Sequence, residues 1–541
     1  MLLYFQNKRQ KSKNGGDFMK RRKGWSILMS GVLGVGLVLA GCSAQPEQGA
    51  ADNPAKSEAA DGTQTLIIAR QSDANNLDPH FISAINAASV VHHKVYEGLI
   101  RRDENMEFKP MLATEWKQLD EVTWEFKLRQ GVVFHDGTPF NAEAVKATFA
   151  RVLDPKVGSP RATQFQMIQE VKAVDDYTVQ IKLTYPYSPL LSILANHEGS
   201  IISPKAIEQY GKDLSKHPVG TGPFVFEAWT PGQEIVLARN DNYWGEKVKY
   251  AKAVFKVVPE DTTRIAMVET GEAHIAEPLP VTEIERVSQS PQMALYRTEG
   301  LGTDFIGFNT KKKPFDDVRV RQAINYAIET DAIIQGVFNN VGTKANSAMS
   351  PKVLGYSEAL KGYEFDPNKA KALLKEAGYA NGFKTTLWTG DRKERINAAE
   401  VIQSQLKGIG VEVEVKVLEY GAYLDAEDNG ETDMFISGWG NATGDGDYNQ
   451  YNLFHSSSLG KGGNTTFYVN KEVDKLIEEA RREPDSAKRK QLYAQALEIE
   501  SKEAPMVPIR NLEHVAAVSK KIKGFWISPS GYMMINDITM E

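Results

Sequence analysis

Residues 383–437 read FKTTLWTGDRKERINAAEVIQSQLKGIGVEVEVKVLEYGAYLDAEDNGETDMFIS. Phe383–Trp388 has strand character, and Glu394–Leu406 reads as a helix stopped by Gly408. Val411–Val417, VEVEVKV, alternates cleanly as a half-buried strand does. A short helix over Tyr420–Glu427 and a strand over Asp433–Ser437 follow. A β-α-β-α-β order predicts an open, largely parallel α/β sheet. Ligands of such sheets sit beyond the carboxyl ends of the strands. Trp388-Thr389-Gly390 and Gly438-Trp439-Gly440 both fall there, so the two tryptophans are expected to face one crevice.

Upstream in the same block, Val318–Thr330 reads as a helix with Val320, Ala323, Ile324 and Ala327 on its apolar side, and Asp366-Pro367 opens another. Downstream come helices over Lys471–Arg482, capped by Asn470, and Ser486–Lys502. The first half of the chain is different. Strand signals occur at Thr65–Arg70, Val122–Leu128, Thr178–Leu183, Glu234–Ala238 and Ala253–Val258, with helices after Asn141 and around Thr262–Thr270.

The N-terminus indicates export. Lys20-Arg21-Arg22-Lys23 precedes the uncharged stretch GWSILMSGVLGVGLVLA at 24–40, and then Leu39-Ala40-Gly41-Cys42. Cys42 is the sole cysteine, so no intramolecular disulfide can form. LAGC resembles a bacterial lipobox, which implies lipidation of Cys42. Residues 43–64 hold almost no large apolar side chains and read as a tether. Residues 1–18 do not fit in front of such a signal, and Met19 is the expected start. An exported globule makes ATP- and NAD-dependent chemistry improbable.

The 541 residues carry a net charge of −6, which argues against a nucleic-acid binder. HExxH, GxSxG and Walker-type sequences are absent, and Gly460-Lys461 lacks the upstream glycine of a phosphate loop. The segment 437–450, SGWGNATGDGDYNQ, concentrates the polar chemistry. Asp445, Asp447 and Asn449 fit the start of a calcium loop, but Gln450 replaces the turn glycine and Ser456 the bidentate glutamate. A binding role is simpler. Trp439 offers a flat apolar wall, Asn441 and Thr443 offer polar groups, and a carboxylate can hold an ammonium.

Several stretches now identify a family. They are Leu77-Asp78-Pro79, Tyr96-Glu97-Gly98-Leu99, Phe134-His135-Asp136-Gly137, Pro218-Val219-Gly220-Thr221-Gly222-Pro223-Phe224, Arg239-Asn240-Asp241-Asn242-Tyr243-Trp244, and the run from Lys313 to Ala323. Over about residues 65–541 the chain resembles the family 5 extracellular solute-binding proteins of ABC importers, the peptide/nickel group. The resemblance implies two lobes of a type II periplasmic-binding-protein-like fold closing on a ligand, with an extra domain on the first lobe, no catalysis, no cofactor, a monomer, and a membrane permease as partner. It implies lobe I over 65–104, 219–302 and 514–541, the extra domain over 105–218, and lobe II over 303–513. Residues 1–41 are extra N-terminus plus signal, and 42–64 are tether. The expected location is outside the cytoplasm, lipid-anchored at the membrane.

Within the family, Thr385-Thr386-Leu387-Trp388, the 438–447 segment, Asn464-Thr465-Thr466-Phe467-Tyr468 and Lys523-Gly524-Phe525-Trp526-Ile527 are most similar to glutathione-binding members. Peptide-binding relatives carry an aspartate three residues after the loop tryptophan, where it pairs with the peptide ammonium. Here that position is Ala442. Asp445 or Asp447 is then expected to meet an ammonium placed differently by a γ-linkage, with Asp445 preferred. Arg392 is a candidate for a ligand carboxylate. Asp304 departs from the basic residue expected there. The alternatives are a dipeptide- or oligopeptide-binding protein, or a nickel-chelate receptor using His455.

Overall fold

A computed structural model describes residues 64–541 except Lys461. Cys42 and the signal and tether segments lie outside the described residues.

One large mixed sheet forms the backbone of the molecule. Its strand order is Val411–Leu418, Phe383–Gly390, Met434–Gly440, Met293–Phe308, Met506–Ser519, Ile275–Glu277, Thr65–Arg70, Lys252–Val257, Glu234–Arg239 and Phe224–Thr230. The three strands of the 383–440 region are parallel neighbours, as their spacing predicts. The sheet does not stay parallel. Met434–Gly440 pairs antiparallel with Met293–Phe308, which pairs antiparallel with Met506–Ser519. Those last two strands, 16 and 14 residues long, lie in the middle of the sheet. Their ladder breaks register between Glu299 and Thr303, where the extra residues let the paired strands bend.

Three of the apolar cores define this frame. In one, Leu66, Ile68, Leu237 and Phe255 pack with Phe525, Ile527 and Met533, so the chain's last segment returns to its first strand. A second core lies under a separate four-stranded antiparallel sheet, order Ala113–Asp120, Thr123–Leu128, Thr178–Leu183, Ile168–Asp175, covered by the helix Ala142–Leu153. Asn141 caps that helix by accepting from the Ala144 amide. In the third, Ile306, Ile324, Leu387, Ile402, Val411 and Ile436 are buried together.

Several helices fall where the sequence predicts them: Asp261–Thr270, Pro367–Glu376, Lys393–Lys407, Tyr420–Asp428 and Lys471–Arg482. The single helix expected over 318–330 is instead two. Val318–Ala327 ends at an extended Ile328, and Thr330–Phe338 starts anew. Both halves are apolar on their buried sides, so periodicity alone carries no mark of the break.

Gly220 and Gly222 have a specific duty. A Cβ on either would collide with the backbone of residues 94–96, namely the Val95 carbonyl for Gly220 and the Lys94 carbonyl for Gly222. The chain around 94–96 therefore lies against glycine backbone, a closeness that any side chain would prevent.

Candidate functional site

The strand Met434–Gly440 buries Met434, Phe435 and Ile436 and carries Trp439 in its last residues. The strand thus runs three residues past the end expected from sequence, and Trp388 likewise lies inside Phe383–Gly390. A five-residue connection, 441–445, leads into the helix Gly446–Phe454. The helix was hidden in the sequence by Gly444 and Gly446 around its start, although Asp445 is an ordinary cap whose side chain accepts from the Asp447 amide.

Asn441 organises the connection. Its Oδ1 accepts from the Thr443 amide at 2.9 Å and the Gly444 amide at 2.7 Å. Its Nδ2 donates to the Asp445 carbonyl at 2.7 Å and to Asn449 Oδ1. Thr443 is buried and its Oγ1 accepts from the Asp445 amide at 3.2 Å. At Gly444, φ is +67°, and an added Cβ would run into Met106, with the Arg102 guanidinium 3.3 Å away. The absent side chain lets residues 102–106 approach the connection.

Asp445 was expected to be free for a ligand ammonium, and the geometry corrects this. Arg489 holds it with a two-pronged pair, Nη2 to Oδ1 at 2.7 Å and Nη1 to Oδ2 at 3.0 Å. Ser192 donates to Oδ2 at 3.1 Å. Burial alone would raise this carboxyl, but Arg489 overcomes that and holds it below the ordinary value. The carboxylate is consumed by structure.

Asp447 is placed differently. Tyr187 donates to its Oδ2 at 3.3 Å, and Arg481 Nε stands 2.9 Å from its Oδ1. That ion pair lacks hydrogen-bond geometry. Asp447 Oδ1 and Arg481 Nε are both buried without a hydrogen-bond partner. Burial, only partly offset by Arg481, lifts the Asp447 carboxyl to about 6. Arg481 itself lies between two rings, its Cζ 3.7 Å from the Tyr451 centroid and 5.3 Å from that of Tyr187. A cavity of about 320 Å³ opens among Gln164, Tyr187, Thr443, Asp447, Tyr448 and Arg481.

Of the other expected residues, Trp439 is half-buried with its ring 5.4 Å from Tyr448, and its Nε1 is buried without a partner. Trp388 donates from Nε1 to Thr386 Oγ1 at 2.7 Å, with Lys416 Nζ 4.7 Å from its ring. Both tryptophans pack on one apolar cluster. Arg392 is exposed over Tyr420, 5.6 Å from the ring centroid. The guanidinium that reaches the sheet is that of Arg395, which donates to the Ile436 carbonyl at 2.9 Å and lies 3.4 Å from Asp304. Arg510 Nε lies 2.9 Å from the other oxygen of Asp304. The acid at 304 is thus clasped by two arginines. His455 has Nδ1 2.7 Å from Ser457 and Nε2 3.3 Å from Glu478. Among the described residues no group of three or more His, Cys, Asp or Glu side chains is arranged to hold a metal ion. Tyr187, Gln164 and Arg481 escaped the sequence reading because they come from segments far from Asp447 in the chain, and Tyr448, directly after Asp447, was passed over beside the acids.

A mixed α/β frame with a polar cavity lined from residues 163–193 and 443–481 is the setting in which comparison with known proteins becomes decisive. The family model described as bacterial extracellular solute-binding proteins, family 5, middle region, matches residues 107–461. The chain belongs to this family. It is 34% identical over 485 residues to the glutathione-binding protein GsiB of Escherichia coli O157:H7, covering 88% of this chain and 94% of that one. The structure of HbpA2 from Haemophilus parasuis superposes with a TM-score of 0.82 at 29% identity, over 88% of this chain and all of the other. The periplasmic binding protein DppA of Helicobacter pylori, in complex with the peptide STSA, gives a TM-score of 0.73 at 32% identity, covering 89% and 99%. The family 5 protein described here is therefore a solute-binding component of an ABC importer, not an enzyme, and it works outside the cytoplasm.

Proposed function

We propose that the chain captures glutathione or a related short peptide between its lobes and delivers it to an ABC permease, as a monomer held to the membrane by lipid on Cys42. The observation that carries the solute reading is the distribution of acids after Trp439. Position 442 is alanine, and Asp445 is bound by Arg489. Asp447 is the acid of the segment that borders the cavity. An enclosed ammonium in the register of an ordinary peptide would lack a counter-charge, which is costly. A γ-linked peptide carries its ammonium elsewhere. The similarity to a glutathione-binding relative supports the same choice. Trp439 and Thr443 serve as wall and polar contact, Trp388 backs the wall, Asn441 holds the connection in shape, and Arg392 guards the rim. The division into lobe I (65–104, 219–302, 514–541), extra domain (105–218) and lobe II (303–513) serves as the working map, supported by the separate cores.

The test is thermal unfolding with added solute. A ligand that binds only the folded state stabilises it by about 2.7 kcal/mol at one hundred times Kd. Glutathione is expected to raise Tm. A shift with dipeptides and none with glutathione would replace glutathione by the dipeptide reading. The lipid anchor is tested by Cys42→Ala, which should move the protein from the membrane to the soluble fraction.

A further inference from the structure

The four-stranded unit meets the rest of the chain along two contrasting seams. The first runs beside residues 78–82. Asp78 and Arg151, the latter on the helix Ala142–Leu153, form a two-pronged ion pair, Nη1 to Oδ1 at 3.1 Å and Nη2 to Oδ2 at 2.5 Å, and both side chains are buried. Ser159 donates to the His80 carbonyl at 2.7 Å, and Arg161 Nε to the Ile82 carbonyl at 2.9 Å. Parting this seam would break a buried charge pair, a strongly unfavourable change.

The second seam is the segment 187–192, which faces residues 445–483. The Ser188 amide donates to the Arg481 carbonyl at 2.8 Å, and the Ser188 hydroxyl to the Glu483 carbonyl at 2.6 Å. Ser192 donates to Asp445 Oδ2 at 3.1 Å and Tyr187 to Asp447 Oδ2 at 3.3 Å. Arg102 ties the 102–106 turn to Ser192, and Met106 adds an apolar contact with Met349, Val353 and Leu497. Every partner is an atom of the chain itself, so this seam forms without solute. It also parts at small cost. Ser188 and Glu483 are only half-buried, so water replaces their bonds as the sides separate. Asp445 and Asp447 keep Arg489 and Arg481 when the hydroxyls leave, so no carboxylate is stranded. The cavity of about 320 Å³ lies against this seam, with Tyr187 and Ile193 on one side and Asp447 and Arg481 on the other.

We propose that the segment 187–192 is a latch: the four-stranded unit stays fixed to residues 78–82, and its far edge clips onto residues 445–483 in a fraction of the molecules that hold no solute. A solute that needs both walls of the cavity binds the latched fraction alone, and its apparent Kd is the intrinsic value divided by that fraction. Latch strength thus tunes affinity through hydrogen bonds that the solute never touches. The inference holds whichever solute the cavity takes.

The experiment is single-molecule energy transfer on the full chain. Cys42, the sole cysteine, is changed to alanine, and dyes are attached at Lys172→Cys and Lys475→Cys, both exposed positions. Without solute, a minor population of roughly 10% is expected at the latched distance. Ser188→Ala combined with Ser192→Ala should cut that population at least about tenfold and weaken glutathione binding, read by calorimetry, by the same factor. Ser159→Ala removes a hydroxyl bond from the first seam instead; it should lower Tm and leave the latched population unchanged. A parent chain with no latched population in the absence of solute overturns the proposal, and so does a population that the double variant leaves intact. An equal loss in Ser159→Ala overturns it too, because the effect would then be a general loosening. A chain that latches as expected but does not bind glutathione would overturn the glutathione reading alone.

Discussion

Ser192 donates a hydrogen bond to Asp445 across the boundary between the four-stranded unit and the strand-end segment, at 3.1 Å. The same hydroxyl accepts from Arg102 Nη2 at 2.7 Å, and Arg489 completes the row from the far side. A polar chain of Arg102, Ser192, Asp445 and Arg489 thus ties the two sides together. Ser192→Ala removes both hydrogen bonds, and the one to Asp445, about 1 kcal/mol, is the one that spans the boundary in the state in which the sides touch. Solute affinity should fall about fivefold, as read by titration calorimetry. An unchanged affinity would mean that the bond forms equally with and without solute.

Asp445→Asn should be far more damaging. The substitution leaves the buried Arg489 guanidinium without its counter-charge, a change that costs about 3–5 kcal/mol. Denaturant unfolding should show the loss without solute. Combining Asp445→Asn with Arg489→Met should cost less than the two single changes added together, because they share one interaction.

Glu500 predicts an alkaline weakness. Burial lifts its carboxyl to about 8, with the Gln450 hydrogen bond at 3.2 Å pulling the other way. The folded-state value lies above the unfolded value of about 4.3. Its stabilising contribution is therefore complete below that unfolded value and is lost as pH rises through 8. Glu97 and Glu427, lifted by burial to about 7, act in the same direction. Wild type should lose on the order of a few kcal/mol between about pH 5 and pH 9. Glu500→Gln should lose distinctly less. Parallel Tm-against-pH curves for the two proteins would show that Glu500 contributes nothing to the slope.

Gly220→Ala should destabilise by at least about 2 kcal/mol, at the upper end of ordinary overpacking, because the added methyl meets fixed backbone rather than a side chain that can turn away. Gly336, whose Cβ would enter open space, is the control: alanine there should be neutral or slightly stabilising as a better helix former.

Elements with a local signature were legible in the sequence. Asn141, Asp366 and Asn470 announce helix starts, and each accepts backbone amides as expected. The alternation of VEVEVKV marks its strand, observed as Val411–Leu418. The two longest strands were missed, for a physical reason. Met293–Phe308 mixes buried, half-buried and exposed residues over its first part and is buried throughout from Gly300 onward, so no single period runs along it. The site divides in the same way. The polar segment after Trp439 stands out by composition, but which acid is free depends on Arg489 and Arg481. Those residues are 44 and 34 positions away from Asp445 and Asp447, and only the folded chain brings them near.

The paired long strands carry one more consequence. Thr303 and Asn511 are direct partners in the ladder, so the portion of chain between them leaves and comes back at adjacent points. Two cuts a few ångströms apart would release that whole portion as one cassette, ready to be exchanged with a relative's. Such a chimera would inherit Asp447 and Arg481 from one parent but Tyr187 and Gln164 from the other. Exchange of that portion would therefore be simple to join, while the lining of the cavity around Asp447 would come from two parents.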